Sequence, residues 1–194
     1  MSIVIRNVVA RDALKIASMQ LRSELYVEYA DIDDETKYSI VLPLHVLERL
    51  WVNRLSSFNE FCDENYYAFV AFDEDNDYLC GVIGLSIYEN IGYIRTLYVD
   101  PDYLHQGIGT ALLNKGLNWL VSEKGCDIIR LEVLQINDKA ISLYRKFGFI
   151  NKMYDFPEAL GGTAQNLFPN GEYIVKKMQV KANNIKWFMK DIVE

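Results

Sequence analysis

Two glycines, Gly107 and Gly109, stand where a strand-like run meets a helical one, and that junction constrains the chain more than any other feature. Tyr93 to Val99 is rich in β-branched and aromatic residues and reads as a strand, which Asp100 and Pro101 end. Beyond Leu104, His105 and Gln106, an apolar stripe of Gly109, Leu112, Leu113, Gly116, Leu117, Leu120 and Val121 recurs at intervals of three and four. That spacing predicts a helix from about Gly107 to Lys124 with one face on a sheet. The first turn of such a helix has N–H groups without partners and the positive end of the macrodipole, and glycines let a large anion come close. The junction is a pyrophosphate site in outline. The same glycines also suit a purely structural turn with tight helix packing. A Rossmann fingerprint would want glycine where Leu112 stands, and a P-loop would want a Gly-Lys-Ser/Thr ending that is missing.

The order of elements narrows the fold. Ile3 to Val9 is strand-like, and a helix runs from Ala13 towards Tyr29 with Asp12 as its cap. The acidic stretch Asp31, Asp33, Asp34, Glu35 reads as a loop, and Leu44 to Leu55 resumes helical spacing through Leu47 and Trp51. Tyr66 to Phe72, Leu79 to Tyr88 and Tyr93 to Val99 read as consecutive antiparallel strands separated by turn-forming runs. A strand from Ile128 to Leu134, a helix from Asp138 to Phe147, and strands near Phe149 to Tyr154 and Glu172 to Gln179 complete the pattern. The fold class is therefore α/β, with a mixed, mainly antiparallel central sheet flanked by helices. At 194 residues without repeats or linker-like tracts, residues 1–194 read as a single domain. Ile185 to Met189 reads as an extra strand or short helix, available for a homodimer contact.

Charge and composition exclude several classes. With 27 acidic against 20 basic residues, nucleic acid is not an expected partner, because phosphate backbones demand concentrated Lys and Arg. No apolar run approaches the roughly 18 residues that would span a bilayer. Cys62, Cys80 and Cys126 are too few and too scattered for a disulfide framework or a zinc site, so reduced thiols, a cytoplasmic setting and no metal are expected.

The run Leu97 to Leu113, with the element order, resembles the GNAT family of N-acetyltransferases, whose pattern at this junction is Arg/Gln-x-x-Gly-x-Gly/Ala. A second stretch, Asn137 to Phe149, resembles that family's Asn-x-x-Ala-x-x-Leu-Tyr-x-Lys-x-Gly-Phe. The resemblance implies a GNAT-like fold and transfer of an acetyl group from acetyl-coenzyme A directly to an amine, with no metal. It would place the coenzyme A diphosphate on the backbone amides of His105, Gln106, Gly107, Ile108, Gly109 and Thr110. The pantetheine arm would lie along the main chain of Leu97, Tyr98 and Val99, near the Asn137 side chain. Tyr144 would be the general acid that protonates the leaving thiolate. The chain departs from the pattern at Leu104, where the family usually has Arg or Gln.

Local chemistry offers plainer roles beside these. Asn137 or Asp138 makes a good helix cap, Gly148 a natural stop, and Tyr144 falls on the apolar stripe of Ala140, Leu143 and Phe147. Many family members carry a Glu near the start of the strand before the glycine turn, where this chain has Tyr93 and Arg95. The general base is thus unassigned: Glu132 is one candidate, a solvated or ion-paired role its alternative, and a water relay a further one. His45 and His105 are too few for a His-based triad and read as structural or solvent-facing. Tyr26, Tyr29, Trp51 and Phe58 could line an acceptor pocket or pack the core, and the acidic stretch near Asp31 could attract a polyamine or aminoglycoside or simply face solvent. The expected acceptor is a small-molecule amine; a protein or peptide amine, or a non-catalytic acetyl-coenzyme A sensor, are the alternatives.

Overall fold

The central strand β3, Tyr78–Tyr88, is buried over most of its length, the mark of a strand covered on both faces. It was obtained within a computed structural model that describes residues 2–29, 32–56, 66–160 and 174–188, the side chains of residues 38, 39 and 56 excepted. Among the described residues, seven strands form one sheet: β1 (Ile3–Asn7), β2 (Tyr66–Asp73), β3, β4 (Ile91–Val99), β5 (Ile128–Leu134), β6 (Ile150–Asn151) and β7 (Val175–Lys181). Their order is β1-β2-β3-β4-β5-β7-β6. Every neighbouring pair is antiparallel except β4 with β5.

Helices cover the two faces. On one, α1 (Ala13–Ser23) and α3 (Leu44–Ser56) bury Ile16, Met19, Leu47 and Trp51 against Val70 and Val82. On the other, α4 (Ile108–Asn118) and α5 (Asp138–Lys146) cover Ile83, Leu85, Ile129, Leu131 and Met178. Burying each such aliphatic side chain is worth about 1.5–3 kcal/mol, so these two layers hold the sheet. Gly116 lets α4 lie close on β3: an added Cβ would stand 2.7 Å from the end of the Ile83 side chain, which would have to shift.

The helix expected from Ala13 to Tyr29 is continuous but changes character. After Ser23 it loosens into a π-helical turn over Glu24–Glu28. Asp12 holds the N-cap position of α1 but gives the helix no side-chain bond: its carboxylate is held by Arg6 Nη1 at 2.7 Å and Nη2 at 2.9 Å and accepts from Val9 N at 2.9 Å. Part of the acidic stretch is helix, not loop. Asp33 accepts from Thr36 N at 2.9 Å and caps α2 (Asp34–Ile40), while Asp31 lies outside the described residues. The strand expected over Phe149 to Tyr154 shrinks to β6, which pairs only with Met178 and Gln179 at the sheet edge. Residues 185–188 form neither strand nor helix; Lys186 N donates to Phe147 O at 3.1 Å and Phe188 packs on Phe147. No helix among the described residues is long and apolar enough to cross a membrane.

Candidate functional site

The parallel pairing of β4 with β5 ends early. It spans Ile91–Ile94 against Ile128–Leu131, whereas β5 stays paired with β7 as far as Leu134. The cause lies on the other side of β4, where Gly84 faces Thr96 but Leu85 faces Ile94, leaving Arg95 as an extra residue. Such a bulge bends its strand and sharpens its twist. Beyond it β4 and β5 part into a cleft of about 290 Å³, lined by Arg95 to Val99, by Glu132 and Val133, and by residues of the glycine turn and α5. From Arg95 onward this edge of β4 has no strand partner among the described residues, so its main chain can pair with an extended ligand.

The glycine turn closes one end of the cleft. Gly107 is the N-cap of α4 at φ 85°, a conformation that costs an L-residue about 1–2 kcal/mol, and His105 takes a left-handed φ of 61°. The first helical bond runs from Ala111 N to Gly107 O, which leaves the amides ahead of Ala111 without helical acceptors. Two buried carboxylates brace the turn from behind. Asp100 accepts from Tyr78 OH at 2.7 Å, Arg22 Nε at 2.9 Å and Asp102 N at 3.0 Å; Asp73 accepts from Tyr103 OH at 3.0 Å. Leu104 lines the cleft beside this cradle and brings no polar group.

The second motif lies opposite. Asn137 accepts from Ala140 N at 3.0 Å, so it is the cap of α5, and it also lines the cleft. Tyr144 is 6% exposed, packs edge-on against Phe149 and reaches the cleft wall. Burial first, and the nearby negative charge of Glu28 second, raise its pKa well above the ordinary tyrosine value, so it holds its proton.

Glu28 is the group that sequence reasoning missed. The π-helical turn aims it into the cleft, with Ser23 and Val27 beside it. Its Oε2 is sealed from solvent and has no hydrogen-bond partner among the described residues. Its pKa is pushed up to about 8, by burial first and by Glu24 second, while the Tyr98 hydroxyl pulls it down. Glu24 belongs to a buried polar chain. Trp51 Nε1 donates to Gln20 Oε1 at 2.6 Å, Gln20 Nε2 donates to Glu24 Oε1 at 2.6 Å, and Tyr98 OH donates to the same Oε1 at 3.1 Å. The available signal was Glu24 and Glu28, four residues apart at the end of a helix. That pattern also describes any exposed helix face.

Glu132 lines the cleft too, but its Oε1 lies 3.9 Å from Lys177 Nζ, an ion-paired role. Tyr93 is buried against Phe156, and the Arg95 guanidinium sits over the same ring at 4.9 Å. Tyr29 and Trp51 are core residues and Tyr26 is 66% exposed, so none of the three lines the cleft; Phe58 lies outside the described residues. His45 is exposed away from the cleft, and His105 lies in the glycine turn. Among the described residues no three His, Cys, Asp or Glu side chains gather as a metal site.

Comparison with known proteins fits this geometry. The chain is 41% identical to the thialysine N-epsilon-acetyltransferase of Sus scrofa over 56 residues, 29% of this chain and 32% of that protein. It is 39% identical to N-alpha-acetyltransferase 30 of Xenopus laevis over 71 residues, 37% of this chain and 26% of that protein. The chain thus spans about a third or less of these two curated relatives. A crystal structure of the PaiA N-acetyltransferase from Thermoplasma acidophilum in complex with coenzyme A superposes with a TM-score of 0.70 at 26% identity, covering 93% of this chain and 99% of that one. The sequence profile of the acetyltransferase (GNAT) family matches residues 26–149, more than half the chain and the stretch that holds the bulge, the glycine turn and both motifs. The chain belongs to the GNAT family of acetyltransferases.

Proposed function

We propose that this protein is an N-acetyltransferase that moves the acetyl group of acetyl-coenzyme A directly to the amine of a small molecule. The observation that carries the reading is the cleft between β4 and β5, with Glu28 on one wall and Tyr144 on the other. The diphosphate would rest on the amides of residues 105–110, and the pantetheine arm would pair with the free edge at Leu97, Tyr98 and Val99 and pass Asn137.

Glu28 takes a proton from the incoming ammonium, the freed nitrogen attacks the thioester carbon, and the carbon–sulfur bond then breaks. The thiolate leaves with the Tyr144 proton, and the attacking nitrogen gives its surplus proton back to the Tyr144 oxygen as the amide forms. A base near pKa 8 and an acid held protonated by burial suit these opposite tasks. Cys80 and Cys126 are buried and free, which fits the reducing cytoplasm expected for this chain.

The likeness to an N-alpha-acetyltransferase supports a second reading in which the acceptor is a peptide N-terminus. One experiment separates these: purified protein and acetyl-coenzyme A offered to a library of small amines and short peptides, read by thiol release. Turnover of small amines supports the first reading and turnover of peptides alone the second. No release with any acceptor, despite stabilisation by coenzyme A, would sink both in favour of a sensor.

A further inference from the structure

Arg130 has no place in the chemistry above. It sits on β5 between the core residues Ile129 and Leu131, so it points to the opposite face of the sheet, the face that carries α1 and the Glu28 turn. Gln179 and Lys177 on β7 stand opposite Arg130 and Glu132 on that same face. Arg130 Nε donates to Gln179 Oε1 at 3.0 Å, Nη1 donates to Tyr93 OH at 3.4 Å, and its guanidinium lies 4.6 Å over the Tyr154 ring.

Every one of those partners is neutral. Arg6 and Arg22 meet carboxylates at 2.7 Å and 2.9 Å, but Arg130 forms no ion pair with a described residue, and its Nη2 makes no hydrogen bond with one. Among the described residues, the charges on the same face of β5 and β7 include Lys177, whose ammonium lies over the same Tyr154 ring at 5.5 Å, and Glu132, which Lys177 already meets at 3.9 Å. The fork is therefore oriented by its neighbours and left uncompensated by them. Guanidinium groups so presented bind carboxylates with two parallel hydrogen bonds.

The position suits an acceptor. Arg130 pairs with Tyr93 just before β4 and β5 part, and Glu132, two residues on, lines the cleft. Two residues of strand span about 6.6 Å, which sets Arg130 that far along β5 from the cleft wall at Glu132.

We propose that Arg130 is an anion subsite, and that the acceptor is a zwitterion with a carboxylate a short chain away from its reacting amine. The proposal rests on the transferase reading and narrows its substrate class.

Matched pairs of acceptors test it: L-lysine against cadaverine and L-ornithine against putrescine, with acetyl-coenzyme A and thiol release as the readout. The carboxylated member of at least one pair should show a kcat/KM at least tenfold higher. Arg130→Gln should lower kcat/KM for that member at least tenfold more than for its diamine, mainly through KM, and Arg130→Lys should restore part of the preference. Equal or better turnover of both diamines, or an equal loss for both members of a pair in Arg130→Gln, would overturn the subsite and leave the transferase reading standing. Thiol release from no amine, diamines included, would overturn both.

Discussion

The Tyr98 hydroxyl donates to Glu24 Oε1 at 3.1 Å, which ties the strand that borders the cleft to the helical turn that carries the proposed base. Glu24 and Glu28 face Tyr98 together, and the charge of Glu24 is the second reason that Glu28 is a weak acid. Glu24 is itself shifted upward by burial. Two interacting carboxylates of this kind titrate as a pair, with apparent constants that belong to both.

Glu28→Gln should lower kcat by about 10²–10⁴-fold with little change in KM for acetyl-coenzyme A. In the unaltered protein kcat/KM should rise with pH through an acidic limb near pH 8, because the base must first lose its proton. Glu24→Gln removes the neighbouring charge and should move that limb to lower pH. A limb that stays in place in Glu24→Gln would show that the two groups are not coupled.

The same shift has a consequence for stability. Burial and Glu24 push Glu28 up to about 8 in the folded state from an ordinary value of 4.5, so the folded state binds its proton more tightly. Its stabilising contribution is therefore complete below pH 4.5 and is lost as pH rises through 8. Glu28→Gln should flatten the fall in melting temperature across that window and be the more stable protein at its upper end, as scanning calorimetry at several pH values would show.

Tyr144→Phe should keep the fold, because only the hydroxyl is removed from a side chain packed by its ring against Phe149. If the hydroxyl protonates the thiolate, single-turnover acetyl transfer should slow by about 10²-fold or more while acetyl-coenzyme A still binds. An unchanged single-turnover rate would remove Tyr144 from the acid role.

Gly107→Ala places a Cβ in open space but forces an L-residue to hold φ 85°. It should cost about 1–2 kcal/mol of stability and raise KM for acetyl-coenzyme A, since the relaxed turn would no longer present the same amides. Denaturant melts and initial rates measure the two effects.

Asp100→Ala leaves Arg22, Tyr78 and the amide of Asp102 without their shared acceptor. Arg22, 42% exposed, keeps Asp102 at 2.8 Å, so the loss comes from the Tyr78 hydroxyl and the Asp102 amide, about 1–3 kcal/mol, and the glycine turn should loosen with it. Urea melts should show the stability loss, and affinity for coenzyme A should fall in parallel.

Much of this molecule was readable from residue order. The alternation from Ile128 to Leu134 matches β5 end to end, the stripe of Leu112, Leu113, Gly116 and Leu117 matches the buried face of α4, which then continues as a π-helical turn over Trp119–Glu123, and Asn137 caps α5 as its chemistry suggests. These are local properties, set by side-chain periodicity and by hydrogen bonds that close within a few residues. Asp12 shows where local reading fails: a good cap by type, it is claimed by Arg6 from the neighbouring strand.

The glycine pair, the strand before it and the helix after it were determined by sequence alone, because turn geometry and helix periodicity need no distant partner. Tertiary structure decided the rest of the site. The bulge at Arg95 exists only through the register of β4 on β3, and the cleft exists only because that bulge parts β4 from β5. Glu28 looks like any helix glutamate until packing against Tyr98 and Glu24 strips its water and raises its pKa, since burial and neighbouring charge arise only when the fold closes.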